Sequence, residues 1–156
     1  MKRRITDLWN ELAQPTLQGR FDLKQLDGLP DPARRYLAHA ISPGATLASS
    51  VQLQMAGSIR LKPRGKWLPF EARQVLAPPR GFVWPAVVRA GLLRFSGADH
   101  YAARSGAVDF WVWGIIPLVR ASGPDISRSG RGRLAAESCW PPSSLLPSGW
   151  GGSQRL

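Results

Sequence analysis

The sequence predicts an α+β fold: a curved antiparallel β-sheet, a partial or open barrel, preceded by N-terminal helices and followed by a short C-terminal helix. Three observations carry this. Apolar residues recur at helical spacing in the first forty positions, the period changes to two between Val51 and Trp113, and helical spacing returns near residue 133. At 156 residues the chain suits one domain around a single core.

The elements follow in order. In ITDLWNELA, residues 5–13, Ile5, Leu8, Trp9 and Leu12 share one helical face, and Thr6 is placed to cap it. Residues 18–28 are a connection. A second helix is expected after Leu29-Pro30-Asp31-Pro32, with Asp31 as N-cap and Pro32 at the first helical position. Its buried stripe is Ala33, Tyr36, Leu37, Ala40 and Ile41, and Pro43-Gly44 ends it.

Strict alternation then begins. Val51, Leu53, Met55, Ile59 and Leu61 alternate with polar residues, which gives a first strand with one buried face. Gly57 falls on the apolar side and marks a bend or a close approach. Turns at 63–66 and 77–81 bound a second strand, 67–76. Residues 82–88 form a third strand, in which Pro85 argues for an edge or a bulge. Residues 92–101 form a fourth and 108–113 a fifth. Short spacings between strands make the sheet an antiparallel meander. Gly123-Pro124-Asp125 breaks the chain, RLAAESCW (133–140) supports a short helix, and Pro141-Pro142 stops it. Residues 1–28 thus read as an N-terminal helix and linker, 29–150 as a single α+β domain, and 151–156 as a frayed tail.

The net charge is +11, almost all of it from Arg. The basic clusters, Lys2 to Arg4, Arg34-Arg35, Arg60 to Lys66 and Arg128 to Arg133, are scattered. This is the pattern of a generally basic surface, with weak, salt-sensitive and unselective attraction to nucleic acid. Cys139 is the single cysteine, so no intrachain disulfide forms. The basic N-terminus is followed by Asp7, Asn10 and Glu11 rather than by an apolar run, and the longest apolar run, 110–119, is too short to cross a bilayer. A soluble, cytoplasmic protein without a transmembrane segment is expected.

Parity places Asp99 and Tyr101 with Leu93 and Phe95 on the inward face of the fourth strand, and His100 on the outer one. An inward carboxylate needs a partner or solvent, and an Arg or a set of backbone amides is the ordinary answer. Asp109 shares parity with Trp111 and Trp113. Glu137 is four residues from Arg133, the spacing of a helical ion pair. No Gly-x-Ser-x-Gly, no phosphate loop and no metal-ligand spacing occurs, so neither cofactor nor metal is expected.

Six stretches in order, LPDPARRYLAHAI, WLPFEARQV, GFVWPA, GADHY, WGIIPLV and RLAAESCWPPSSLLP, resemble a bacterial family of unknown function. The resemblance spans Leu29 to Trp150. It singles out Trp67, Phe70, Ala72, Phe82, Trp84, Asp99, Tyr101, Glu137 and Pro142, and it implies membership rather than an activity. Members of that family carry a Gly-x-Gly after the Asp-x-Tyr, where this chain has Arg104-Ser105-Gly106. They also continue with further strands, so the resemblance implies a truncated, incomplete domain here.

Four functions follow as expectations. The first is binding of a small or lipid-like apolar ligand in a Trp-lined cavity under the sheet, with Trp67, Phe70, Trp84, Asp99, Tyr101, Trp111 and Glu137 as candidate contacts. The others are an enzyme using Asp99, Tyr101 and Glu137 as polar cavity groups, non-specific nucleic-acid binding, and a fragment without a role. The fifth strand, left as an unprotected edge, would make the chain marginally stable and prone to self-association.

Overall fold

The computed structural model describes residues 2–15 and 19–147. Helix α1 (Lys2–Ala13) and helix α2 (Asp31–Ala40) precede six strands: β1 (Val51–Ile59), β2 (Leu68–Ala77), β3 (Gly81–Ala90), β4 (Leu93–Ala102), β5 (Ser105–Val112) and β6 (Ile116–Ser122). Helix α3 (Pro124–Glu137) follows. Short 3-10 turns lie at Leu23–Leu26 and Pro142–Leu145. The strands are hydrogen-bonded in sequence order, every neighbour antiparallel, in one unclosed sheet with β1 and β6 at its edges. The α+β class with an open antiparallel sheet is therefore what the sequence encodes.

Register sorts the side chains onto two faces, because directly paired residues point the same way. One face carries Leu53, Gln74, Trp84, Asp99 and Val108 in a row across β1 to β5. Helix α3 packs there, and Leu76, Phe82, Tyr101 and Leu134 form the cluster beneath it. On the opposite face Leu12 of α1 buries itself against Val75, Ala77 and Val83, with Ile5, Leu8 and Trp9 around it. The apolar stripe of α1 thus has its expected use. A third cluster, Phe21, Leu26, Leu37, Ile41, Leu47 and Leu146, joins α2 and the two 3-10 turns beside the sheet.

Several expectations change. Helix α1 starts at Lys2, so Thr6 lies inside it rather than at its cap. Helix α2 starts at Asp31, whose carboxylate pairs with Arg34 (2.7 Å) and Arg35 (3.1 Å) instead of capping the backbone. Of its stripe only Leu37 and Ile41 are buried, and the Tyr36 hydroxyl donates to the Cys139 carbonyl. Pro85 occupies a central strand, not an edge, and the β2–β3 ladder skips from Ala72↔Ala86 to Val75↔Val83 around it. That is how a residue without an N–H is tolerated there. The fifth strand is not an edge either. The apolar run 110–119 folds back at Trp113 and Gly114, both at positive φ, and returns as β6. The expected frayed tail, 151–156, lies outside the described residues.

The C-terminal helix is longer than its sequence suggests. It begins at Pro124 and runs through SRSGRGR, a stretch with two glycines and low intrinsic helicity. Packing explains it. A Cβ on Gly130 would meet the Tyr101 side chain at 3.0 Å, so glycine here is what lets the helix lie close on the sheet. Gly132 faces open space. Gly130→Val is expected to cost about 1–3 kcal/mol through overpacking, whereas Gly132→Ala is expected to gain about 0.8–1 kcal/mol from helix propensity. Urea unfolding of the two variants measures both signs; two losses of equal size would contradict this packing.

Candidate functional site

Alternation along β4 sends Asp99 to the α3 face and His100 to the other. The two neighbours therefore serve different places.

On the α3 face, Arg133 reaches down from the helix. Its Nη1 donates to Asp99 Oδ2 (2.7 Å) and its Nε to Glu137 Oε1 (2.8 Å), one turn further along. Gln74 Nε2 donates to Glu137 Oε2 (2.5 Å), and Gln74 Oε1 accepts from Arg133 Nη2 (3.4 Å). The guanidinium lies 4.5 Å from the Phe82 ring centre and 5.3 Å from that of Trp84. Charge-assisted bonds and two aromatic faces together hold it. Two carboxylates share one cation, and burial is the largest influence on Asp99. It pushes that carboxyl above its ordinary 3.8, against the opposing pull of Arg133. The alternative of an Arg partner for Asp99 is thus realised. Beyond the helix, Trp84 sits 6.4 Å from both Phe70 and Phe110, ring centre to ring centre, and its Nε1 points to Met55. Phe70 packs over Gly57, at 3.2 Å from where a Cβ would stand, which accounts for the glycine in β1.

A large hollow lies on the opposite face. Its volume is about 1140 Å³, and it spans the sheet from Gln54 on β1 to Asp109 and Trp111 on β5, closed at one end by Ile5 and Thr6 of α1. Pro85, Val87, Trp111 and Trp113 give it apolar walls, Arg73, Arg94 and Glu71 give it charge, and the His100 imidazole adds a polar group. Glu71 lies 3.9 Å from Arg89 and Asp109 lies 3.5 Å from Arg120, whereas Arg73 and Arg94 enter no ion pair among the described residues. The hollow's uncompensated charge is therefore positive. At its floor His100 Nδ1 and Trp111 Nε1 are buried without hydrogen-bond partners among the described residues, and buried Asp109 Oδ1 meets only Arg120 Nε, at 3.5 Å. Burial, the largest influence, holds the His100 imidazole below its ordinary 6.5, with Asp99 pulling it up, Arg4 down and Asp109 up.

The candidate residues separate accordingly. Asp99 and Glu137 meet at Arg133, while Tyr101 is buried under Gly130. Phe70 and Trp84 form an aromatic row on the same face. Trp67 stands exposed in the β1–β2 turn under Arg60. Trp111 alone of the candidates lines the hollow. His100 does not face open solvent, as its parity had suggested; it is half-buried where α1 covers β4. Arg133, at the centre of the polar cluster, was visible only as the i, i+4 partner of Glu137. Arg73 and Arg94 carried no signal beyond alternation with apolar neighbours. Among the described residues no three His, Cys, Asp or Glu side chains gather as a metal site, and no helix is long and apolar enough to cross a membrane.

In comparison with known proteins, the sequence model of a family of unknown function (DUF6544) matches residues 19–149. No curated protein and no solved structure matches the chain.

Two outcomes are expected of this geometry. Arg133→Met leaves two carboxylates and Gln74 without their shared donor, and should cost about 3 kcal/mol in urea unfolding; a cost below about 1 kcal/mol, the range of exposed pairs, would contradict the cluster. His100 binds its proton less readily folded than unfolded, so stability is lost as pH falls below 6.5. His100→Asn should flatten that loss, read as the urea midpoint against pH, and an unchanged slope would mean that another group causes it.

Proposed function

The chain belongs to a family of unknown function (DUF6544), and from its own geometry we propose that it is a binding module for an elongated, mainly apolar ligand with an anionic head. The hollow carries this reading. At about 1140 Å³ it is at or above the usual size of small-molecule sites, and it mixes aromatic and aliphatic walls with a few charged groups in the way such sites do. Trp111, Trp113, Pro85 and Val87 offer the apolar length. Arg73 and Arg94 supply charge that no carboxylate among the described residues neutralises, which favours an anionic head over a neutral or cationic one.

The carboxylates of Asp99 and Glu137 are engaged by Arg133 and lie on the other face from the hollow. This favours a structural duty for them, the anchoring of α3, over acid–base work. The same anchoring keeps α3 away from the hollow and leaves it open to a ligand.

Native mass spectrometry of the purified protein, followed by titration with dodecanoate and with dodecanol, tests the reading. Dodecanoate should bind roughly tenfold or more tightly than dodecanol, the equivalent of about 1.4 kcal/mol. Val87→Trp, which places an indole in the hollow, should abolish binding of both without lowering the unfolding midpoint. Equal affinity for the two ligands would remove the anionic head from the proposal; undiminished binding in Val87→Trp would remove the hollow.

A further inference from the structure

In a meander of antiparallel strands every second turn lies at the same end. The β1–β2, β3–β4 and β5–β6 turns therefore sit side by side on one rim of the sheet, about 10 Å from one another at the spacing of alternate strands. Their register aligns them: Gly57, Phe70, Val88, Phe95 and Val112 form one row, and the three turns project just beyond it.

Large apolar side chains stand at the tips. Leu92 at the β3–β4 turn is 95% exposed and Ile115 at the β5–β6 turn is 73% exposed, with Leu93, Trp113 and Ile116 exposed beside them. These two turns form a unit, since Trp113 Nε1 donates to the Leu92 carbonyl (3.2 Å) and Trp113 N–H to that of Arg94 (2.8 Å). The β1–β2 turn adds Leu61 and Trp67, both exposed, and the Arg60 guanidinium rests 4.9 Å from the Trp67 ring. Cations surround them: Arg60, Lys62, Arg64 and Lys66 on the first turn, Arg89 and Arg94 on the second. None of the segments 59–68, 89–94 and 112–116 contains an Asp or Glu.

We propose that these three turns form a docking rim for the surface of an anionic lipid bilayer. Exposed aliphatic tips insert among acyl chains, indoles suit the headgroup level, and the flanking cations meet anionic headgroups. The two kinds of contact matter together, because either alone gives only marginal membrane binding. Charge complementarity selects this occupant over the others. A second copy would bring the same cations to the contact, and a nucleic acid would leave Leu92 and Ile115 without a role. The rim goes beyond the hollow's ligand and does not depend on it, although Trp113 and Arg94 belong to both.

Flotation of the full chain with phosphatidylcholine vesicles, and with vesicles that also contain phosphatidylserine, tests the rim. The chain should float with the anionic vesicles, weakly or not at all with the neutral ones, and less as salt is raised. Each Lys or Arg near such a surface multiplies affinity by about fivefold, so Lys62→Gln/Arg64→Gln/Lys66→Gln should weaken binding roughly a hundredfold. Leu92→Asn/Ile115→Asn, at tips that pack against little, should weaken it roughly tenfold or more. Val87→Trp should float as the original chain does. The rim is overturned if either rim variant floats undiminished, if neutral vesicles bind equally well, or if Val87→Trp abolishes flotation. It is also overturned if a DNA duplex displaces the vesicles while Leu92→Asn/Ile115→Asn binds that duplex and the vesicles unchanged.

Discussion

A single half-buried guanidinium organises the molecule. Arg133 reaches Asp99 on β4 and Glu137 on its own helix, and Gln74 on β2 closes the ring of bonds. That anchor adds direction to the packing of Gly130 and Leu134 on the sheet, in a helix whose first half is poor in helix formers and which is mostly exposed. With it, the helix seals one end of one sheet face over Leu76, Phe82 and Tyr101. A desolvated charge of this kind stabilises less than apolar packing of the same volume, but its bonds have direction. They fix where the helix crosses, and so which face stays open.

The two faces then take different duties. The α3 side is packed by satisfied polar groups and an aromatic row through Phe70, Trp84 and Phe110. The other side carries α1 at one end and the hollow along the rest. Trp113 and Arg94, at the far end of the hollow, belong to the rim of exposed turns. The proposed ligand face would then run out to a basic, apolar-tipped rim, a surface that otherwise would only impair solubility.

Much of this was legible in the sequence, for reasons that particular residues make plain. Period-two alternation from Val51 onward predicts the meander, because side-chain direction in a strand is local. The same rule puts Asp99 and Tyr101 on one face and His100 on the other. Spacing of four predicts Arg133–Glu137. What parity does not contain is which face another element will cover. That depends on contacts between residues far apart, such as Asp99 with Arg133 and Gln74 with Glu137. For this reason Trp111 reached the hollow, while Trp84 and Phe70, equally aromatic and on strands, did not. β6 escaped because its apolar run joins that of β5 without a break, and the turn between them is made at Trp113 and Gly114 with no Pro-Gly or Asn-Gly signal.

The account stands on α3 being held to the sheet as firmly as the sheet is held to itself. Amide hydrogen exchange measures that directly. The amides of α3 around Leu134 should exchange as slowly as those of β3 and β4, and Arg133→Met should release them while the centres of β3 and β4 stay protected. If the helix exchanges freely in the original chain, or if Arg133→Met leaves its protection unchanged, the guanidinium does not anchor it and the division of the two faces has another cause.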